Sequence, residues 1–490
     1  MTVTEHPIAE HAPGADRGVL PRVIQGGMGV GVSGHRLAAA VARTGQLGVV
    51  SGVALDLLLA RRLQRGDADG SLRRALSRFP DQGMVRRALD RYLVPGGITA
   101  GTPFRPVPRL GLRDNRQRTE LTVLGNFVEV FLAKEGHTGP VGINYLEKIQ
   151  LATPAATYGA MLAGVDYVLM GAGIPAEIPA LLDALAEHRP GEVSVTVEGS
   201  AAGQRHTASL DPAELLSGAH APLYRPRFLA IVSASVLAQY LHRSPATRPD
   251  GFVVEGPLAG GHSAPPRGRM RLDDCGEPVY GVRDAVDSAT IAALGLPFWL
   301  AGGCATPEAL ARAEAEGATG IQAGTVFALC AESGLEPAVK RRLLAQATDG
   351  SLRVRNDPLA SPTGFPFKVA DGPGSPALRS LEERPRLCDL GYLRTPYLKG
   401  NGAVGYRCPA EPVDDYVRKG GAVEDTEGRH CLCNGLLSAI GLGQTRADGY
   451  AEPPLVTLGQ TLDFLARLRE RHPDGYTAGQ VVEHLLGERW

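Results

Sequence analysis

The chain has 490 residues, and its 51 Lys and Arg are nearly cancelled by 52 Asp and Glu, for a net charge of −1. That length allows one large domain with additions or two domains, and the charge balance argues against nucleic acid or an anionic membrane as the main partner. No apolar run is long enough to cross a bilayer, the leader MTVTEHPIAEHAPGADRG lacks a signal-peptide core, and seven scattered cysteines suit reduced thiols better than disulfides. The expectation is a soluble cytoplasmic protein with a small-molecule partner, a homodimer being left open.

Short runs rich in Val, Ile and Leu recur along the chain, and most run into Gly or Ala. They are VIQGGM (23 to 28), LGVVSG (47 to 52), PVGINYL (140 to 146), YVLMGAG (167 to 173), FLAIVS (228 to 233), GFVVEG (251 to 256), PFWLAGG (297 to 303) and GIQAGTVF (320 to 327). Most precede a stretch with helical spacing. After the first run, Ser33 is placed to cap a helix with Leu37, Ala40, Val41 and Thr44 on one face and Gly45 as its stop. Before PEALARAEAEG, Thr306 and Pro307 repeat the start signal, and Gly317 ends the segment. Continuous apolarity marks strands buried on both faces, and eight of them with intervening helices predict an α/β fold, a (β/α)8 TIM barrel. An open doubly wound sheet is the alternative.

The barrel is assigned to 18–337, with a long insertion after the second strand at 53–138 that contains SLRRALSRF and VPGGITAGTPFRPVP. A smaller insertion covers 190 to 225, with VSVTVEG as a candidate strand. Beyond 337 the βα rhythm stops. Residues 338–490 form an appended region with the Pro/Gly-rich pieces PLASPTGFPF and DGPGSP and a final helix near LDFLARLRER, expected to pack over the barrel mouth.

In such a barrel the active site lies at the C-terminal ends of the strands, often with a phosphate after strands seven and eight. Those strands end in Gly302 and Gly303, and in Gly324 and Thr325, each pair expected to lead into a helix whose first N–H groups face an anion. Gln25, Gly27 and Met28 close the first strand, Asn144 closes the third, and His262 follows the paired glycines after the sixth. A histidine titrates near neutrality, and glycine allows close backbone approach, so GPLAGGH suggests a reactive site, although such a turn is more often only a turn.

QGGMGVGVSGHRLAAAVARTGQLGVVSG, GINYL, AGGH and LAGGCATPEALARAEAEGATGIQAGTVF, in that order, resemble the nitronate monooxygenases, also called 2-nitropropane dioxygenases. The resemblance covers roughly 20 to 335, with PTGFPFKV (362 to 369) as a weaker echo. It implies noncovalent FMN, its phosphate on Gly302, Gly303, Gly324 and Thr325, and Gln25, Gly27, Met28, Asn144 and Gly256 along the flavin ring or ribityl chain. His262 would be the catalytic base, and the reaction would be oxidation of a nitronate or nitroalkane by O2 to a carbonyl compound and nitrite. Leu258 stands where the family commonly has an acidic residue, and Cys304 where it has Ile or Val. The length suggests a longer bacterial subgroup.

The same motifs also resemble FMN-dependent enoyl-thioester (enoyl-ACP) reductases, which would need NAD(P)H and could take a carrier-protein-bound substrate. Arg267, Arg269 and Arg271 behind His262 would then hold a phosphate. A flavin-binding scaffold within a biosynthetic assembly is a third reading, and His262 weighs against it. Cys304 beside the phosphate turn is read as a structural thiol. His430, Cys431 and Cys433, with Cys408 upstream, lack the usual CxxC spacing, so no metal site is assigned.

Overall fold

The computed structural model describes residues 19–371 and 384–487. The leader and nearly all of DGPGSP lie outside these residues. In chain order the strands are β1 (Val23–Gln25), β2 (Leu47–Ser51), β3 (Val141–Leu146), β4 (Tyr167–Gly171), β5 (Gly191–Ser194), β6 (Thr207–Leu210), β7 (Arg227–Val232), β8 (Gly251–Glu255), β9 (Phe298–Ala301), β10 (Gly320–Ala323), β11 (Arg353–Asp357), β12 (Phe367–Asp371), β13 (Thr395–Leu398) and β14 (Val404–Arg407). Eight of them close a parallel barrel in the order β1-β10-β9-β8-β7-β4-β3-β2. These are the eight runs read from the sequence. Alternation along each strand fills both layers: Ile24, Val49, Leu169, Leu229, Val253 and Trp299 pack the interior, while Val23, Val50, Val168, Phe252 and Ile321 face the helices.

Register places the polar strand-end residues at one level. Ser51 pairs with Asn144, Glu255 with Ala301, and Gln322 with Ala301 from the other side. They therefore ring the C-terminal mouth.

The caps divide. Thr306 Oγ1 accepts from Ala309 N at 3.2 Å and Pro307 opens the helix Pro307–Ala315, as the sequence indicates. Ser33 does not cap its helix. Its Oγ lies 2.9 Å from each of Gln25 Nε2, Met28 N and Gly26 O, which fixes the loop after β1. The helix His35–Ala42 starts from Gly34, and Glu129 accepts from His35 N at 2.8 Å in place of a local cap. A buried acid on a distant helix has taken the serine's expected role.

Within 53–138, the 19-residue helix Arg116–Lys134 packs against β2, β3 and the helices His35–Ala42 and Thr153–Leu162, which is the outer-ring position between β2 and β3. Three helices, Leu55–Gln64, Ser71–Leu76 and Gln82–Tyr92, precede it. In 190 to 225, β5 and β6 form an antiparallel hairpin, and VSVTVEG is a strand only at its start. Farther on, Glu198 bonds to the tail hairpin β13–β14, accepting from Leu398 N and donating to Pro396 O.

The tail does more than cover the mouth. The helix at LDFLARLRER spans Phe464–Arg471 and is not the last one, because Ala478–Leu486 follows. That last helix packs against β1 and the helices His35–Ala42 and Pro307–Ala315, so it completes the outer ring where the short turn Thr325–Ala328 cannot. Its start has a capping box in Thr477 and Gln480, and Gly487 takes a left-handed conformation at its end. Among the described residues no helix is long and apolar enough to cross a membrane.

Candidate active site

Two communicating hollows lie at the C-terminal mouth. Gly27, Glu255, Gln322 and Thr457 line both, so they form one continuous cavity.

The smaller hollow is the one at the glycine turns. Gly302 and Gly303 have φ of +94° and +74°, a region that costs other residues energy. A Cβ on Gly302 would sit 3.0 Å from Ala259 N, and one on Gly324 would sit 3.3 Å from Met28 Sδ, so side chains there would fill the cradle. Thr325, Cys304 and Met28 complete this end. The backbone at these turns differs from the expectation, however. Thr325–Ala328 is a single turn and the other helix begins only at Pro307, so loop backbone, rather than the start of a long helix, lines the hollow. The tail also contributes here: Gly459 N donates to Thr325 Oγ1 at 2.7 Å, and Thr461 Oγ1 would lie 3.2 Å from a Cβ on Gly303. Cys304 is held as a neutral thiol, pushed up to about 11 by burial.

The larger hollow has apolar walls from both barrel and tail, including Val53, Ile149 and Ile231 from the first and Leu393, Leu432 and Leu436 from the second. His262 lines it. Its loop is clamped by β12: Lys368 N donates to Gly261 O and Ser263 N to Pro366 O, at 3.0 and 2.9 Å. The Phe367 ring stands edge-on to the imidazole at 4.8 Å, and His262 Nε2 lies 2.7 Å from Ser361 Oγ. PTGFPFKV is therefore the piece of tail that holds the histidine. Burial, then the nearby Lys148 charge, lowers His262 to about 4, so the ring is neutral at pH 7.

The other expected residues separate into lining and support. Gly27 lines both hollows, Met28 the smaller and Asn144 the larger. A Cβ on Gly27 would come within 2.4 Å of Asn144 Cβ, so only glycine fits between them. Gln25 lines neither. It is fully buried beneath the β1 loop, with Nε2 donating to Ser33 Oγ and Oε1 accepting from Val49 N at 3.0 Å. Gly256 is also behind the lining, tied to Ala301 O through its N–H at 2.9 Å. Arg267, Arg269 and Arg271 are exposed and line neither hollow.

Several site residues were missed. Glu255 ends β8 at the junction of the hollows, and burial, partly offset by Lys368, raises its carboxyl to about 7. Lys368 is fully buried, donates to Pro257 O and Ser263 Oγ, and is lowered to about 8 by burial. Gln322 Oε1 is buried without a partner at the same junction, an amide awaiting a ligand donor or, turned over, an acceptor. Glu255 and Gln322 interrupt apolar runs, a signal visible in GFVVEG and GIQAG. Lys368 and the 457–461 segment have no such signal. Among the described residues, no three His, Cys, Asp or Glu side chains gather as metal ligands do.

Residues 224–356, which hold β7 to β10 and the His262 loop, match the family model described as nitronate monooxygenase. This is narrower than the 20 to 335 stretch over which the motifs resemble that family. Over 124 residues the chain is 34% identical to the 5-hydroxy-7a-methyl-1-oxo-octahydro-1H-indene-4-carboxyl-CoA dehydrogenase of Mycobacterium tuberculosis, a match that takes in 25% of this chain and 32% of that protein. It thus spans about a third of the curated relative's length. Similar solved structures include a nitroalkane oxidase from Streptomyces ansochromogenes (17% identity, 96% of this chain and 95% of that one, TM-score 0.43). FabK from Thermotoga maritima is 16% identical over 96% of this chain and 93% of its own, with a TM-score of 0.46. The enoyl reductase domain of MlnA, from the macrolactin cluster of Bacillus amyloliquefaciens, is 12% identical over 96% and 94%, with a TM-score of 0.47. The half of the barrel that carries His262, Gly302 and Gly303 is therefore the part of this chain that matches the nitronate monooxygenase family model.

Proposed function

We propose that this chain is an FMN-dependent oxidoreductase that reduces the carbon–carbon double bond of an unsaturated acyl thioester with electrons from NAD(P)H. The observation that carries this reading is the apolar wall beside His262, built from Val53, Ile149 and Ile231 of the barrel and Leu393, Leu432 and Leu436 of the tail. A small nitronate would leave most of that wall uncovered. An acyl chain would cover it, at roughly 25 cal/mol per Å2 of apolar surface removed from water. The curated relative's name specifies a carboxyl-CoA, which supports a thioester carried by coenzyme A or by a carrier protein.

The cradle fits the cofactor. The backbone at Gly302, Gly303 and Gly324 and the Thr325 hydroxyl would hold the FMN phosphate, while Gly27, Met28, Asn144 and Gln322 would lie along the ribityl chain and ring. Gln25 and Gly256 would act from behind, by fixing the backbone of the β1 loop and the β8 end. Bound FMN supplies the two-electron chemistry. His262 would handle the proton, and the neutral fraction of Glu255 at pH 7 would tolerate a nearby electron-rich ring.

Nitronate oxidation with O2 is the second reading, favoured by the family match over 224–356. In it the neutral His262 would accept the α-proton of a nitroalkane. A side-by-side assay separates the two. With FMN-loaded protein, the first reading expects NADPH consumption that depends on a medium-chain enoyl-CoA and little nitrite from a nitronate under air. Nitrite formation without enoyl-dependent NADPH consumption selects the second.

A further inference from the structure

Ser361 and Thr363 form a short chain of hydroxyls behind His262. Ser361 is fully buried and its Oγ lies 2.7 Å from His262 Nε2 and 2.8 Å from Thr363 Oγ1. Thr363 is only partly buried, so the chain runs from the cavity histidine toward the surface. The segment is fixed in place: Arg429 donates to Ser361 O at 2.7 Å, and Gly364 N closes a turn onto the same oxygen at 3.2 Å.

Two proton orders fit this chain, and the relay uses the second. Ser361 Oγ accepts from Thr363 N at 3.2 Å, and Thr363 Oγ1 accepts from Phe365 N at 3.4 Å. If Nε2 carried the imidazole proton, it would donate to Ser361, Ser361 would donate to Thr363, and the partly buried Thr363 hydroxyl would donate to solvent. In the opposite order, Thr363 donates to Ser361 and Ser361 donates to Nε2, and every hydroxyl proton has a partner. The neutral ring then carries its proton on Nδ1, which has no hydrogen-bond partner among the described residues and is the nitrogen left for a substrate in the hollow that His262 lines.

We propose that Thr363 and Ser361 are positioning residues that form a proton relay, passing a proton from solvent to His262 Nε2 as Nδ1 gives one to the substrate. This rests on the reading of His262 as the proton-handling group of the site. In the transfer the Nδ1–H bond breaks as a C–H bond forms at the substrate α-carbon. Ser361 passes its hydroxyl proton to Nε2, Thr363 passes its own to Ser361, and water reprotonates Thr363, leaving hydroxide to the buffer. No electron moves in the relay, and the negative charge of the carbanion ends on that hydroxide. When product leaves, water reprotonates Nδ1 and the chain returns its Nε2 proton outward. The relay spares the enzyme an imidazolium, which the buried ring disfavours.

Two measurements test it. The first is independent of substrate: 15N NMR of histidine-labelled protein, with His262→Asn to assign the signal. The relay expects the Nδ1–H tautomer in the wild type and a changed tautomer balance in Ser361→Ala, and an Nε2–H tautomer in the wild type overturns it. The second is turnover in water and in D2O. Ser361→Ala should retain FMN and its reduction by NADPH, lose at least about 10-fold in enoyl-thioester turnover, and change the solvent isotope effect, while Ser361→Thr restores both. Wild-type turnover and isotope effect in Ser361→Ala overturn the relay. An Nδ1–H tautomer in a protein that ignores enoyl thioesters overturns the substrate reading and leaves the relay standing.

Discussion

His262 and Ser361 are 99 residues apart in the chain, yet Nε2 of one faces Oγ of the other at 2.7 Å. The contact joins a barrel loop to the tail. It means that the C-terminal mouth of the barrel is completed by residues beyond the eighth strand, through β12, the 457–461 segment and the wall around Leu432.

His262→Asn should keep FMN bound, because the glycine turns proposed to hold its phosphate lie on other strands, and should lose about 10²- to 10⁴-fold in turnover, the usual range for a proton-handling group. Turnover and flavin content after desalting are the readouts. A parallel loss of flavin and activity would instead mark the histidine as a structural turn.

Gly303→Val should expel the flavin. The position has φ of +74°, and a Cβ would meet Thr461 Oγ1 at 3.2 Å and Leu258 Cδ1 at 3.3 Å. Strain of about 1–3 kcal/mol would add to the blocked phosphate. Absorbance of cofactor released by heating gives the stoichiometry, and wild-type content in the variant would place the phosphate elsewhere.

Leu485→Ala tests the last helix as part of the barrel ring. Leu485 and Val481 are fully buried on its inner face. Removing the leucine should cost about 2–5 kcal/mol and lower Tm, whereas a peripheral helix would show a change within about 0.5 kcal/mol.

Glu255 and His262 give opposite pH dependences to stability. The folded Glu255 carboxyl titrates at about 7 against 4.5 ordinarily, so between these values the fold holds a proton that the unfolded chain has lost. Its contribution is full below pH 4.5 and is lost as pH rises through 7. His262 titrates at about 4 against 6.5, so its contribution is full above pH 6.5 and is lost as pH falls through 4. Glu255→Gln removes only the first. The variant should therefore gain on the wild type as pH rises from 4.5 to 7, by on the order of 2 kcal/mol. Urea unfolding at stepped pH measures it, and a constant difference would show that Glu255 is not held neutral by burial.

The barrel was legible because parallel strands covered on both faces need unbroken apolar runs, and each run ends where backbone must turn or meet a ligand. The place of Gly302, Gly303 and Thr325 at the barrel mouth was readable for that reason. Residues that act across the chain were not. Ser33 carries the local signal of a cap, yet Gln25 and Met28 take its hydroxyl while Glu129, on a distant helix, serves the helix start. Nothing near Ser361 or Thr461 in the sequence names their partners, which only the closed fold brings to His262 and Gly303. The Ala478–Leu486 helix did carry a signal, the Thr477 and Gln480 capping box, but its short apolar stripe does not announce a place in the ring.

The most direct test of the central claim is a single turnover without oxygen. FMN-loaded protein is reduced to completion, freed of excess reductant, and mixed in a stopped-flow instrument with a medium-chain enoyl-CoA, flavin absorbance being followed. The flavin should reoxidise with one equivalent of saturated acyl-CoA formed per flavin, and slowly in His262→Asn. Flavin that stays reduced with every enoyl thioester, in a protein whose oxidised flavin is reduced by a nitronate, would contradict the claim.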